Sequence, residues 1–245
     1  MNTVLSSRVC GLLALLAPAL VTAQSSSPPP LTWVGTDLVD GRPSSVRFTA
    51  ADAAAPALIA FGAGRACRLE ARFVTHDGNQ FHYDVTAGNG GWCDRFQPGR
   101  VVLRVDGRKA TLQVRTQGAP LQVAMWPVGD ATRAPPPRGT WTGLANPADP
   151  DASLASLQLA DHDPGDTRSR LVFGSPDSCR LSLRYEGATP AGAWYAPLPG
   201  NGGARCDRLL DQWVVVREAG DAATVHVEPT PGDCADGCRW TRSSR

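Results

Sequence analysis

Four histidines, His76, His82, His162 and His226, are where acid–base catalysis would be sought first, because imidazole titrates near neutrality without help from its surroundings. No nucleophile or metalloprotease motif accompanies them: G-x-S-x-G, H-E-x-x-H and a phosphate-cradling glycine loop are all absent. Glutamate is confined to Glu70, Glu186, Glu218 and Glu228. A glycosidase pair of carboxylates stays open at this level, since spacing along the chain does not set spacing in space. D-H-D-P-G-D, Asp161 to Asp166, resembles the start of a calcium loop, but Val172 stands at the twelfth position, where a carboxylate is required. It reads as a hairpin loop. Cys234-x-x-x-Cys238 offers only two of the four ligands a structural zinc needs, and reads as a disulfide. The expectation is a protein with no catalytic residues, no metal and no cofactor.

The most distinctive words in the chain are G-N-G-G-W-C-D-R (Gly88 to Arg95) and G-N-G-G-A-R-C-D-R (Gly200 to Arg208). They belong to a longer duplication. An offset of 112 aligns Phe61-Gly62 with Phe173-Gly174, Cys67-Arg68-Leu69 with Cys179-Arg180-Leu181, and Tyr83 with Tyr195. One inserted residue later, Val101–Arg104 matches Val214–Arg217, and at the start, at a slightly shorter offset, T-W-V-G at Thr32 matches T-W-T-G at Thr140. Self-similarity at a fixed spacing means one supersecondary unit used twice. No histidine has a histidine twin: His82 aligns with Trp194 and His226 with Gln113.

The elements that must carry these motifs are strands. S-V-R-F-T, C-R-L-E-A-R-F-V, Q-F-H-Y-D-V, V-V-L-R-V and A-T-L-Q-V-R alternate apolar and polar residues. His76-Asp77-Gly78-Asn79 and Val105-Asp106-Gly107-Arg108 read as hairpin turns. No stretch of a dozen residues shows helical period. Six to eight short strands per module predict an all-β chain of two tandem antiparallel barrel or sandwich modules. The boundaries are a leader at 24–30, module 1 at 31–129, a proline-rich linker at 130–138 and module 2 at 139–245. A-P-P-P in the linker favours an extended, semi-rigid spacer, and the duplicated Trp33 and Trp141 read as core.

The duplication also selects among disulfide pairings. Cys67–Cys93 and Cys179–Cys206 are equivalent, which leaves Cys234–Cys238; Cys206 with Cys234 is the alternative. Each long bridge closes about 26 residues and contributes roughly 3 kcal/mol. Arg68 and Arg180 follow the first cysteine, and Asp94 and Asp207 follow the second. If the bridged cysteines face each other on neighbouring strands, two equivalent ion pairs are expected, Arg68–Asp94 and Arg180–Asp207. The residues left for binding are those on the doubled loop and those that differ between copies: Asn89 and Trp92 in one module, and Trp194, Asn201 and Arg205 in the other.

Residues 1–23 carry Arg8, a short apolar run from Val9 to Val21, and V-T-A at the end. This is the pattern of a secretory signal peptide cut after Ala23, and the run is too short to span a bilayer. Cleavage would remove Cys10 and leave an even six cysteines, as suits a periplasmic or secreted chain. It would also remove Arg8, bringing the 24 Lys and Arg level with the 23 Asp and Glu. A neutral chain offers no net field for nucleic acid. Arginine supplies every cation but Lys109, and the Ala, Gly and Pro content points to a GC-rich bacterial source. The expected function is binding, in its most specific form inhibition, of a cell-envelope or secreted hydrolase. A carbohydrate- or peptidoglycan-binding protein using Trp92 and Trp194 is the alternative, and a hydrolase with its site between the modules is the third.

Overall fold

The computed structural model describes residues 31–52, 55–115, 119–228 and 238–243. The expected leader at 24–30, the signal segment and Cys234 lie outside these residues.

Each module is a closed antiparallel barrel of eight strands. The first comprises β1 (Leu31–Val39), β2 (Arg42–Ala50), β3 (Ala57–Phe61), β4 (Arg68–Asp77), β5 (Gln80–Gly88), β6 (Arg100–Asp106), β7 (Lys109–Arg115) and β8 (Leu121–Pro127). The second comprises β9 (Gly139–Leu144), β10 (Leu154–Leu159), β11 (Ser169–Phe173), β12 (Arg180–Thr189), β13 (Gly192–Leu198), β14 (Trp213–Ala219), β15 (Ala222–Glu228) and β16 (Cys238–Arg242). Strands follow one another around each barrel in chain order, and closure settles barrel against sandwich. Both expected turns are two-residue hairpins, with Asp77 opposite Gln80 and Asp106 opposite Lys109. Gly78 and Gly107 supply the positive φ that such turns need.

The repeated T-W-x-G motif acquires a physical cause at the seam. β1 closes on β8 with Gly35 opposite Met125, and β9 closes on β16. A Cβ on Gly35 would overlap the Ala124 carbonyl and the Met125 side chain, and one on Gly143 would overlap the Trp240 indole. Only a residue without a side chain lets the last strand approach the first here. The preceding Trp33 and Trp141 point inward and are buried.

The two interiors are separate apolar clusters, one holding Phe48, Ile59, Leu69, Tyr83 and Leu112, the other Trp141, Leu157, Leu171, Leu183 and Tyr195. Burial of each large side chain contributes about 1.5–3 kcal/mol. Both predicted long bridges, Cys67–Cys93 and Cys179–Cys206, are present. They belong with an oxidising environment. Cys238 is buried on β16 and engaged in a disulfide. No helix among the described residues is long and apolar enough to cross a membrane.

Candidate functional site

The doubled loop ends in a helical turn, which the strand-only reading missed. Gly91–Phe96 is a 3-10 turn in module 1, and Ala204–Leu209 is the short helix α1 in module 2. Cys93 and Cys206 therefore sit on helical turns, not on strands. The premise of the Arg–Asp pairs fails with this: among the described residues no ion pair joins Arg68 to Asp94 or Arg180 to Asp207, and all four side chains are exposed. The asparagines do the clamping. Asn89 Oδ1 accepts the Arg68 backbone N–H at 2.9 Å, and Asn201 Oδ1 accepts that of Arg180 at 2.6 Å. The Asn89 amide also donates to the Ala66 carbonyl at 3.2 Å. Asn89 and Asn201 thus hold the loop to the start of the strand that follows the first cysteine.

What differs between the copies is the lid on each barrel mouth. In module 1, Trp92 packs edge-on against Phe61 and Phe96, with centroids 5.3 and 4.7 Å away. The guanidiniums of Arg65 and Arg95 lie over its indole at 4.2 and 4.9 Å. Arg65 is also paired with Asp37 at 2.5 Å. Trp92 is consequently half-buried and already stacked, not an open platform. In module 2, Arg205 occupies the equivalent place over Phe173 at 5.0 Å. Asp177, the counterpart of Arg65, pairs with it at 3.3 Å. An aromatic–cation stack has been exchanged for an ion pair at the same two positions.

The exchange changes the interior. Leu209 stands where Phe96 stands in module 1, and the mouth of barrel 2 keeps a cavity of about 80 Å³, lined by Leu171, Phe173, Leu209, Val225 and Trp240 with Arg205 and Arg208 at its rim. Filling a void recovers lost contacts. Leu209→Phe should stabilise the protein by about 0.5–1 kcal/mol, and Phe96→Leu should destabilise it by about 1–2 kcal/mol, both read by thermal melts.

A second arrangement lies between the modules and was not anticipated. β4 and β12 each bulge at one residue, Val74 and Glu186. Glu186 points out of barrel 2, yet is fully buried because barrel 1 covers it. Its carboxylate accepts the Ser45 N–H at 2.7 Å, the Ala63 N–H at 3.1 Å and Arg184 Nε at 2.5 Å. The Thr36 hydroxyl donates to its carbonyl at 3.3 Å. Gly62 leaves the room, since a Cβ there would overlap the carboxylate. The only signal in the sequence was a glutamate aligned with a valine, one of several mismatches along the paired strands R-L-E-A-R-F-V-T-H-D and R-L-S-L-R-Y-E-G-A-T.

The loop with the calcium-like spelling is part of the same junction. Asp163 accepts the Gly129 N–H at 2.9 Å and pairs with Arg133 at 3.3 Å, and Asp166 pairs with Arg168 at 2.7 Å and with Arg47 at 3.6 Å. Asp161 is buried against Ser169 and accepts the Arg168 N–H at 2.7 Å; burial raises its pKa. Through Arg133, the proline-rich linker is anchored to module 2.

Beside the junction runs a cleft of about 450 Å³. Val39, Asp40 and Arg42 of module 1 face Arg184, Asp211 and Trp213 of module 2 across it. Asp40 and Asp211 are exposed, unlike the desolvated carboxyl of a glycosidase general acid. Trp194 is 6 % exposed, donates its indole N–H to Thr189 at 2.9 Å and packs edge-on against Trp213, so no face of it is offered to a ligand as the sequence suggested. No protein-family model, no curated protein and no solved structure matches the chain.

Proposed function

We propose that this chain is an exported, non-catalytic binding protein whose target is a secreted or cell-envelope hydrolase, engaged through the Arg65–Trp92–Arg95 lid of barrel 1. The observation that carries this reading is the lid itself: a rigid indole with two guanidiniums stacked on it, over a filled barrel. Trp and Arg on a pre-organised support are the side chains that dominate protein interfaces. Arg95 is exposed, and no carboxylate lies within ion-pair distance of it among the described residues. Glycan hydrolases carry a pair of carboxylates in an open cleft, which is the complementary chemistry for a stacked arginine. Export rests on the N-terminal apolar run and the cysteine count, and places the protein in the periplasm or outside the cell, where such enzymes act.

The test is inhibition of a peptidoglycan-cleaving muramidase by the mature protein, followed as clearing of a cell-wall suspension. Arg95→Glu and Trp92→Ala should each weaken inhibition by about 30-fold or more, while the circular dichroism spectrum is unchanged. Inhibition by both variants that equals that of wild type, or no inhibition of muramidases by the wild type at all, overturns the reading.

One observation favours a second reading, glycan binding. The inter-module cleft has an aromatic wall, Trp213, flanked by Asp40, Arg42, Arg184 and Asp211. An indole with neighbouring hydrogen-bonding groups is how a sugar is held. Calorimetric titration with soluble peptidoglycan fragments distinguishes the two: heat that Trp213→Ala abolishes and Trp92→Ala does not would favour glycan.

A further inference from the structure

The junction between the modules uses one face of barrel 1 and a different face of barrel 2, and each of those faces exists a second time. The donor face of barrel 1 comprises Thr36, Ser45 and Gly62. Its counterpart on barrel 2 is fixed by register. Ser45 pairs with Thr36 and accepts the Gly62 N–H on its carbonyl at 2.7 Å; Leu154 pairs with Leu144 and accepts the Gly174 N–H at 2.8 Å. The receiving face of barrel 2 is the Glu186 bulge on β12. Its counterpart on barrel 1 is the Val74 bulge on β4.

These two unused faces share a chemistry that the used ones lack. Within the chain the contact is polar: a hydroxyl and two backbone N–H groups against a glutamate. On the unused pair the corresponding three positions are apolar: Leu144 replaces Thr36, Leu154 replaces Ser45 and Val74 replaces Glu186. Leu154, Leu144 and Val74 are 61 %, 44 % and 48 % exposed, and they make up half of the six exposed large apolar side chains among the described residues. Exposed apolar groups concentrated at defined places mark interaction surfaces. Gly174 adds to this. It has no positive φ and meets no side chain, only the Leu154 carbonyl at 3.3 Å. Gly62, its twin, is small because the Glu186 carboxylate lies on it.

We propose that the occupant of these faces is a second copy of this chain. Leu144, Leu154 and Gly174 of one molecule would receive the Val74 bulge of the next, repeating between molecules the docking made once within each. The interface is heterologous, because each chain carries one donor and one receiving face. Such contacts propagate head to tail until the rotation closes a ring.

Sedimentation velocity of the mature protein over a concentration series, from low micromolar to near-millimolar, is the test. Wild type should show mass rising with concentration beyond a monomer. Val74→Arg and Leu154→Arg change only exposed side chains, and each should weaken association at least about tenfold, leaving monomer. Mixing the two variants is decisive. Val74→Arg retains an intact donor face and Leu154→Arg an intact receiving face, so the mixture should form a one-to-one dimer and stop there. A wild type that stays monomeric across the series, or a mixture that stays monomeric while wild type associates, overturns the proposal.

Discussion

Replacing Glu186 by alanine should undock the two barrels without unfolding either, at a cost of about 3–5 kcal/mol to the junction. The carboxylate is fully buried and saturated, with the Ser45 and Ala63 N–H groups and Arg184 all donating to it. Truncation strands those donors in a site that excludes water, which is more costly than never having made the bonds. Because Glu186 lies on the outer wall of barrel 2, the loss falls on docking and not on the core. Differential scanning calorimetry should then resolve two transitions where wild type shows one, and small-angle scattering should report a larger radius of gyration. Glu186→Gln keeps the volume and one acceptor, so it should fall between. Gly62→Ala provides an independent approach, since its Cβ would overlap the same carboxylate. In the Glu186→Ala background only the overlap with the Ser45 hydroxyl remains, which rotation of that side chain into the vacated space relieves, so Gly62→Ala should cost less there than in wild type. Such non-additivity is the mark of two residues in direct contact. Additive effects would mean that the carboxylate does not hold the junction.

The features that could be read from the chain are those that depend on one module alone. Alternation defined the strands, Asp-Gly and Gly-Asn pairs located the hairpins, and matching Cys67–Cys93 to Cys179–Cys206 selected two bridges from many pairings. What was misread depended on geometry finer than period. W-C-D-R-F is too short to show helical spacing, so Asp94 was assigned to a strand and a partner it does not have. What was missed depended on the other module. Nothing local distinguishes Glu186, and its burial is created entirely by Thr36, Ser45 and Ala63 from more than a hundred residues away. Trp92 shows the same limit in reverse. An indole in a glycine-rich loop suggests exposure, but the turn folds it back onto Phe61 and Phe96. The difference between the copies was nonetheless the right place to look, because Trp92 with Phe96 covers one barrel mouth, while Arg205 with Leu209 leaves a cavity at the other.

That asymmetry gives the disulfides unequal work despite nearly equal loops. The bridges span 26 and 27 residues, so chain entropy alone predicts the same loss on removal, about 3 kcal/mol each. For two docked barrels that melt in one transition, that corresponds to a fall of roughly 6–12 °C in melting temperature. Cys67→Ala with Cys93→Ala should exceed this figure. Cys93 follows Trp92 directly and pins the turn that presses the indole onto Phe61 and Phe96, so its release loosens the lid of barrel 1 as well as the unfolded chain. Cys179→Ala with Cys206→Ala should come closer to the entropic value, because the Arg205–Asp177 pair and the Asn201 clamp persist and the mouth beneath is already partly empty. Thermal melts of the two double variants under non-reducing conditions, with Trp fluorescence as a second probe, measure the difference. If barrel 1 loses no more than barrel 2, the Trp92 lid draws no stability from its disulfide, and the bridges act only on the unfolded state.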